Sequence, residues 1–436
     1  MKIKQKNTID MTHGTLWNKL LIFALPLAAS SILQQLFNSV DTAVVGRFAS
    51  SRALAAVGSN SSLIALMINL FIGISLGSNV IISRYIGQKA EEHVKAAIHT
   101  AIVVALCSGI FVLVLGQFIA RPVLTLMGTP KDVLDLAVLY LRIYFLGMPF
   151  IMLYDFSSSI LRSIGDSRRP LYALIAAGII NTGLNLILVI VFHLGVSGVA
   201  IATVVSNIVS SGILFYILLH EQEPIRVSLS GLSIDWGELK KILIIGVPAG
   251  LQGMVFSLAN VCIQSMINSF GSNAIAGSAA ALNFEFFAYF MVNAFAQTTV
   301  TFTSQNYGAG DFQRCKKVYR LCMIFSVIFC GLLSGIFVLG RDFFLRLYTT
   351  DPNVLTFAVQ RLLIVTTLEL LTSTYEISGG AKPGLGPFPT PLIWINTVCR
   401  AVHEFWVVMI IYPISWVLTG TVMITAYLLL RRKLMR

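Results

Sequence analysis

Six carboxylic acids lie inside long apolar stretches of this sequence, where an ionised group is costly to bury. A carboxylate surrounded by apolar side chains must be paired, hydrated, protonated or bound to a cation. Each of these acids is therefore a candidate for binding a cation or a proton. They are Asp41, Asp155, Glu285, Glu369, Glu376 and Glu404.

Asp41 is joined by three neutral polar residues that we expect at a similar depth: Asn181, Asn185 and Thr203. At about 1.5 Å per helical residue, Asp41 and Thr203 lie roughly 8 and 9 Å from the ends of their helices. Asn181 and Asn185 are four residues apart and share a helix face. Oxygen donors around one carboxylate suit Na⁺, and the carboxylate could instead carry a proton. The alternative is a hydrogen-bonded cluster that only holds helices together.

Glu285 has an aromatic neighbourhood that suits an organic cation, through its charge and through the faces of the rings. We expect it to face a cavity; the alternative is a packing face with one acid paired to a neighbouring helix. Glu369 and Glu376 are seven residues apart and lie on similar faces of another helix. The residues around Glu285 are Asn283, Phe284, Phe286, Phe287 and Tyr289.

The elements that hold these residues must be membrane helices. Hydrophobic residues make up 56% of the 436 residues and charged residues 11%, and the mean hydropathy is +0.82. Soluble domains carry about 25% charged residues, and only helices satisfy the backbone in such long apolar segments. We predict an all-α integral membrane protein with about twelve spans, near 16–46, 53–80, 95–120, 133–158, 170–193, 197–220, 240–268, 274–300, 316–340, 354–378, 391–410 and 412–430.

The net charge of +12 could suggest nucleic acid, but its distribution indicates a membrane topology instead. Most Lys and Arg residues fall on one side of the predicted spans, the side that holds both termini. This bias marks the cytoplasmic side and implies no anionic ligand. We therefore expect a multi-pass protein of the cell (plasma or inner) membrane with both termini in the cytoplasm.

The sequence repeats itself with an offset of about 221 residues. Pro26 and Pro248 place a helix-bending residue early in the first span of each half. Because six spans are an even number, both halves have the same orientation, an arrangement found in transporters. We predict two parallel six-helix lobes, 1–222 and 223–436, around a central cavity.

No motif for ATP hydrolysis, hydrolytic catalysis or a paired-cysteine metal site occurs in the sequence. The six cysteines include no C-x-x-C pair and are expected to be packing residues. We therefore expect no enzyme activity, no cofactor, no ATP and no metal beyond a possible Na⁺. Energy for any transport would come from an ion gradient.

Four stretches of the sequence carry a resemblance to a known transporter family. They are Gln34–Gly46 (QQLFNSVDTAVVG), Val196–Ser206 (VSGVAIATVVS), Gln305–Gly310 (QNYGAG) and Tyr412–Trp416 (YPISW). They resemble the multidrug and toxic compound extrusion (MATE) family, and the resemblance covers nearly the whole chain. It implies a transporter with two lobes that exports small, often cationic and amphipathic, organic molecules in exchange for Na⁺ or H⁺. It also implies a coupling site at Asp41, Asn181, Asn185 and Thr203, and the family's substrate acid matches Glu285.

We expect further residues to contact the substrate or line its cavity, and we expect the chain to act as a monomer. The further residues are Gln34, Asn283, Phe287, Tyr289 and Glu369.

The sequence departs from the family in three places. Asn185 replaces an Asp that many members carry, so the expected coupling site has one formal charge fewer. Pro383 replaces a usual Arg, although Lys382 keeps a positive charge close by. The last two spans must also fit into 391–430, about ten residues fewer than spans 5 and 6 occupy.

Other membrane functions fit the residues less well. A flippase for lipid-linked saccharides shares the two-lobe architecture but would favour several Arg or Lys in its cavity. In the predicted spans, acids outnumber Arg and Lys, which suits cationic substrates better. An ion channel would need a filter motif or a symmetric oligomer, and no catalytic constellation supports a membrane enzyme.

Overall fold

The structure, a computed structural model, describes residues 8–49, 51–381, 402 and 404–434. In this part of the chain, all regular secondary structure is helical. Ten of its helices are long and apolar enough to cross a membrane, and eleven are if one bent pair counts as a single span. The prediction of an all-α membrane protein is therefore confirmed. Most of the predicted span 391–410, and the motif around Lys382 and Pro383, lie outside the described residues.

The first seven helices follow the first six predicted spans, because one predicted span is divided in two. The span predicted at 133–158 bends by 47° at Gly147, where Pro149 starts a new helix without needing a backbone partner. The span predicted at 170–193 ends in a π-helical turn, Ile187–Val191. The helices are α1 (Leu16–Phe48), α2 (Ser51–Gln88), α3 (Glu91–Leu126), α4 (Lys131–Leu146), α5 (Met148–Ser163), α6 (Arg168–Leu186) and α7 (Gly195–Leu219).

The second group of helices contains one span whose pitch changes twice. A π-helical turn, Leu362–Thr366, and a 3₁₀ turn, Glu369–Leu371, join α12 to α13 within the predicted span 354–378. Such turns often lie at functional sites, and here they adjoin two charged residues, Arg361 and Glu369. The helices are α8 (Trp236–Asn268), α9 (Ser272–Gly308), α10 (Phe312–Leu339), α11 (Arg341–Arg346), α12 (Pro352–Arg361), α13 (Thr372–Ala381), α14 (Phe405–Met409) and α15 (Ile411–Leu434).

The chain packs as two compact units. The first holds the residues up to His13, Ala29–Leu251 and Ser304–Gly310; the second holds Gly14–Ala28, Gln252–Thr303 and the chain from Asp311 onward. The units are defined by packing, whereas the predicted halves 1–222 and 223–436 are defined by the sequence repeat. Those halves therefore remain a prediction.

Within the first unit, glycines let α2 approach the N-terminal part of α8 until the backbones touch. A Cβ atom added at Gly77 would lie 2.5 Å from the carbonyl oxygen of Ile242, and one at Gly246 would lie 2.5 Å from the Cα of Ile74. Small residues at such spacing allow close van der Waals packing between membrane helices. The seam fixes α8 against α2 without any polar side chain.

Glu238, in the first turn of α8, fixes the same end of that helix by polar contacts. Its carboxylate accepts hydrogen bonds from Tyr85 Oη, at 2.8 and 3.0 Å, and from Lys241 Nζ at 2.9 Å. The Nδ1 atom of His93 lies 3.2 Å from the same carboxylate. The Glu238 side chain is 3% exposed, whereas the side chains of Lys241 and His93 are 47% and 60% exposed, so α8 begins at a buried acid whose basic partners reach the surface.

Candidate functional site

The structure brings together the four residues predicted to bind a coupling ion. Asn185 Nδ2 donates one hydrogen bond to Asp41 Oδ1 and another, of 3.1 Å, to Asn181 Oδ1. Thr203 Oγ1 lies 3.4 Å from Asp41 Oδ2. Asp41 is 8% exposed and Asn185 is fully buried. No basic side chain forms an ion pair with Asp41 among the residues that the structure describes.

The Thr203 hydroxyl has one proton and two nearby acceptors. Besides Asp41 Oδ2, it lies 3.0 Å from the carbonyl oxygen of Val199, one turn earlier in α7. When its proton goes to the shorter contact with Val199, a lone pair of Oγ1 faces Asp41. Thr203 Oγ1 can then accept a hydrogen bond from a protonated Asp41, or coordinate a cation that the carboxylate binds.

A glycine sets the distance between the two helices that carry Asp41 and Asn185. Gly178 lies in α6, and a Cβ atom there would lie 1.7 Å from the Cζ atom of the Phe37 ring in α1. Phe37 precedes Asp41 by about one turn, and Gly178 precedes Asn181 by about one turn. The absence of a side chain at Gly178 therefore permits the hydrogen bond between α1 and α6.

Two tyrosines near Asp41 were not predicted from the sequence. Tyr140 and Tyr144 of α4 stack with their ring centres 6.0 Å apart, and both interact electrostatically with Asp41. Their spacing of four residues places them on one helix face. The sequence shows that shared face, but it does not show that the two tyrosines interact with Asp41.

In the second unit, Glu285 is paired rather than free. Arg361 donates to both carboxylate oxygens of Glu285, at 3.0 and 3.1 Å, and to Ser278 Oγ at 2.7 Å. Its guanidinium carbon lies 5.3 Å from the ring centre of Tyr412. Arg361 is 2% exposed. This arrangement matches the alternative given above for Glu285, an acid paired to a neighbouring helix.

The other two acids of this unit differ in their hydrogen bonds. Glu376 accepts a hydrogen bond of 2.9 Å from Tyr289 Oη, so Tyr289 is engaged with an acid. Glu369 is 3% exposed, and its Oε2 atom has no hydrogen-bond partner within the described part of the chain. Glu369 also interacts electrostatically with Glu285, Arg361 and Glu376. Glu369 is therefore the acid of this cluster that retains an unused acceptor.

Three predicted substrate residues remain, of which Asn283 and Phe287 lie in the second unit and Gln34 lies in the first. Asn283 is half-buried and lines a cavity of about 290 Å³. Phe287 packs against Phe337, with their ring centres 6.3 Å apart. Gln34 is exposed on α1. The cavity at Asn283 is lined by Ala276, Ala279, Ala280, Tyr348, Thr349 and Val354 as well.

Two acids predicted within spans have other surroundings. Asp155 belongs to α5 and interacts electrostatically with Arg162, about two turns later in the same helix. Glu404 is exposed and has an extended backbone just before α14. Arg400, four residues earlier in the sequence, lies outside the described residues. In residues 8–49, 51–381, 402 and 404–434, no three His, Cys, Asp or Glu side chains form a group that could hold a metal ion.

A family model described as MatE matches the chain twice, over residues 26–187 and 248–403. The chain belongs to the MatE family. The MatE matches begin at Pro26 and Pro248, the two prolines that lie inside α1 and α8. Together they cover more than half of the sequence, including Asp41, Asn181, Asn185, Glu285 and Glu369. The resemblance inferred from the four sequence stretches is therefore confirmed.

Individual MatE relatives cover most of the chain. The probable multidrug resistance protein YoeA of Bacillus subtilis (strain 168) is 30% identical over 419 residues, which is 94% of this chain and 89% of that protein. The FAD transporter of Shewanella oneidensis is 27% identical over 328 residues, which is 73% of this chain and 71% of that protein.

A solved structure of the family shares the fold. It is an outward-facing conformation of a multidrug resistance MATE family transporter of the MOP superfamily. The TM-score is 0.87 at 20% identity, and the match covers 98% of this chain and 100% of that one. The chain is therefore a multi-pass membrane transporter of the multidrug efflux family, and the flippase alternative is not favoured.

Proposed function

We propose that the chain is a secondary active antiporter that exports small organic cations in exchange for Na⁺ or H⁺. The observation that carries this proposal is the Asp41 carboxylate, which is buried among Asn181, Asn185 and Thr203 without an ion pair in the described residues. A charge in that position needs a mobile cation or a proton to balance it. A structural acid would instead be balanced by a fixed base, as Glu285 is by Arg361.

Antiport requires that the ion and the substrate stabilise different conformations of the transporter. Neutralising Asp41 removes the free-energy cost of burying its charge. This changes the free energy of the conformations in which Asp41 is buried away from water. The free energy released by ion entry then drives substrate extrusion, without ATP. Because this chain carries no nucleotide-binding motif, an ion gradient is the energy source that fits its sequence.

For the substrate, Glu369 is the acid that the geometry favours over Glu285. Its unused Oε2 atom can accept a hydrogen bond or a positive charge, whereas both oxygens of Glu285 are occupied by Arg361. Gln34, Asn283, Phe287 and Tyr289 remain proposed substrate contacts. The relatives named for multidrug resistance and multidrug export support small organic molecules as the substrate class.

The proposal includes a location and an assembly state. The excess of Lys and Arg on one side of the spans supports cytoplasmic termini in a plasma or inner membrane. We propose that the chain acts as a monomer, with small molecules and the lipid bilayer as its partners.

The test is efflux of a fluorescent organic cation from proteoliposomes under an imposed Na⁺ or pH gradient. Wild type should export the cation under one of the gradients, and Asp41→Asn should not. Asp135→Asn serves as a matched control, because Asp135 is an exposed acid that pairs with Arg121 at the surface. Correctly inserted wild type that exports nothing under either gradient contradicts the antiporter, and Asp41→Asn with unchanged efflux contradicts the assigned coupling site.

A further inference from the structure

The segment that joins α7 to α8 is tied to α3 at two points. The backbone N–H of Ser228 donates to Nε2 of His99 at 3.1 Å, and the backbone N–H of Asp235 donates to Oγ1 of Thr100 at 3.0 Å. His99 and Thr100 are buried neighbours in α3. Residues 229–234 therefore form a short loop, the connector loop, whose two ends meet at one level of α3.

That level is where the sequence of α3 changes from polar to apolar. Residues 91–100 read EEHVKAAIHT, whereas residues 101–120, AIVVALCSGIFVLVLGQFIA, contain no charged residue. A run of about 20 apolar residues is long enough to cross the hydrocarbon core. The connector loop therefore lies where the lipid headgroups begin. Six predicted spans lie between the start of α1 and this loop, so both are on the same side of the membrane.

Large apolar side chains are exposed at this level. Leu229, Ile234 and Trp236 are 63%, 36% and 76% exposed. Apolar side chains at a membrane surface gain free energy by inserting into the boundary between headgroups and acyl chains. Trp is enriched at that boundary because its ring is apolar and its N–H group is polar. These three side chains therefore indicate a segment that contacts lipid.

Trp236 also continues an exposed side of α8. Ile244 and Leu251 are 62% and 50% exposed, and their spacing from Trp236 places all three on one helix face. Lys240 lies on this face between Trp236 and Ile244, and its side chain is exposed. Along the face of α8 that meets lipid, the order is thus an aromatic ring, a positive charge and then apolar side chains.

Two basic residues of this segment are available to an anion. Arg226 and Lys240 are exposed, and neither forms an ion pair within the part of the chain that the structure describes. The nearby acids have other contacts: Asp235 accepts the backbone N–H of Glu238 at 3.0 Å, and Glu238 accepts a hydrogen bond from Lys241 at 2.9 Å. The general excess of Lys and Arg on this side reflects topology, whereas these two bases are distinguished by the exposed apolar side chains beside them.

We infer that the connector loop and the first turns of α8 form a binding surface for anionic phospholipids of the cytoplasmic leaflet. Trp236 inserts at the level of the headgroups, and Arg226 and Lys240 bind their phosphates. Each base close to an anionic membrane surface strengthens binding about fivefold. The inference rests on the proposed cytoplasmic location of this side of the protein, and it does not depend on antiport.

Quenching of tryptophan fluorescence by brominated lipids tests this surface. The protein is reconstituted into phosphatidylcholine bilayers that contain brominated phosphatidylcholine or brominated phosphatidylglycerol. The emission of Trp236 is the difference between wild type and Trp236→Phe, or Trp236→Tyr if the first variant does not fold. Both lipids should quench this emission, and phosphatidylglycerol should quench it more strongly at equal mole fraction. Lys240→Gln should lower the preference for phosphatidylglycerol about fivefold.

Lys89→Gln is the matched control. Lys89 is exposed in the turn between α2 and α3, and at about 1.5 Å per residue it lies roughly 15 Å from His99 along α3. This distance exceeds the Debye length of about 8 Å at physiological salt. The control should therefore keep the preference of wild type.

Three results would overturn the inference. The first is Trp236 emission that aqueous iodide quenches and brominated lipid does not, which would place the connector loop in water. The second is equal quenching by the two lipids, which would remove the preference for an anionic headgroup. The third is loss of that preference on addition of millimolar glycerol phosphate, which would show a site for free phosphate instead. Because quenching is measured without an ion gradient, failure of the antiporter would leave these results unchanged.

Discussion

Arg361 and Glu285 form a bidentate ion pair inside the second unit, with N–O distances of 3.0 and 3.1 Å. The pair joins α12 to α9, and Ser278 and Tyr412 provide further contacts to the guanidinium. Two parallel hydrogen bonds between a guanidinium and a carboxylate fix both groups geometrically. Each member of the pair therefore neutralises the other, and both charges lie within predicted membrane spans.

Neutralising one member of this pair should be far more damaging than replacing both. Glu285→Gln leaves the Arg361 charge buried without its counter-ion, at a cost of about 3–5 kcal/mol, whereas apolar replacement of both members is often tolerated. We expect Glu285→Gln to lower thermal stability strongly, and Glu285→Leu with Arg361→Met to restore it and to keep cation efflux. Thermal unfolding of the protein in detergent measures the stability, and the proteoliposome assay measures cation efflux.

The exposed pair Arg121–Asp135 provides the control for that comparison. Its side chains are 56% and 80% exposed, and exposed pairs contribute about 0–1 kcal/mol. Removing it should leave the melting curve nearly unchanged. A folded double variant at 285 and 361 that no longer exports cations would assign Glu285 to transport rather than to packing.

Gly178→Ala should disrupt the coupling site without changing any of its four residues. The added methyl group meets the Phe37 ring, and overpacking of this kind costs about 1–3 kcal/mol. We expect α1 to shift away from α6, and efflux to fall at least tenfold. Phe37→Ala in the same chain should restore part of the activity, because it vacates the space that the methyl group needs.

Gly183→Ala is the matched control in the same helix. A Cβ atom at Gly183 meets nothing within 4 Å, and Ala is favoured over Gly in a helix by about 1 kcal/mol. Efflux and melting temperature should therefore stay the same or rise slightly. Equal losses of efflux in both variants would contradict the role assigned to the Phe37–Gly178 contact.

Glu238→Gln should loosen the N-terminal end of α8, whereas Glu223→Gln should not. Glu238 is buried and accepts a charge-assisted hydrogen bond from Lys241, and such a bond contributes about 1.5–3 kcal/mol. Glu223 pairs with Lys95 at 3.5 Å, and both side chains are about half exposed. Hydrogen exchange of the backbone around residues 236–241 should accelerate in the first variant only. Unchanged exchange in Glu238→Gln would show that the glycine seam with α2 is sufficient.

Sequence reasoning identified the Asp41 cluster from the predicted depths of its residues in their helices, although Asn185 and Thr203 are 144 and 162 residues away from Asp41 in the sequence. One acid in an apolar span, two amides four residues apart and a hydroxyl at a matching depth follow directly from helical geometry. The reasoning was less complete for Glu285, because the acid and Arg361 are 76 residues apart and no periodicity links them. It also did not find Tyr140 and Tyr144, whose relation to Asp41 depends on which helices are neighbours.

The sequence by itself determined that this protein is a bundle of membrane helices, because a chain with so few charges can bury its backbone only in helices within lipid. It also predicted that one acid, Asp41, lies at a depth similar to that of three neutral polar residues. Only the tertiary structure decided which charges are paired: Arg361 neutralises Glu285, whereas Asp41 receives the amide of Asn185. The physical reason is that pairing depends on distances of about 3 Å between helices, and helix packing sets those distances through residues such as Gly178 that carry no charge.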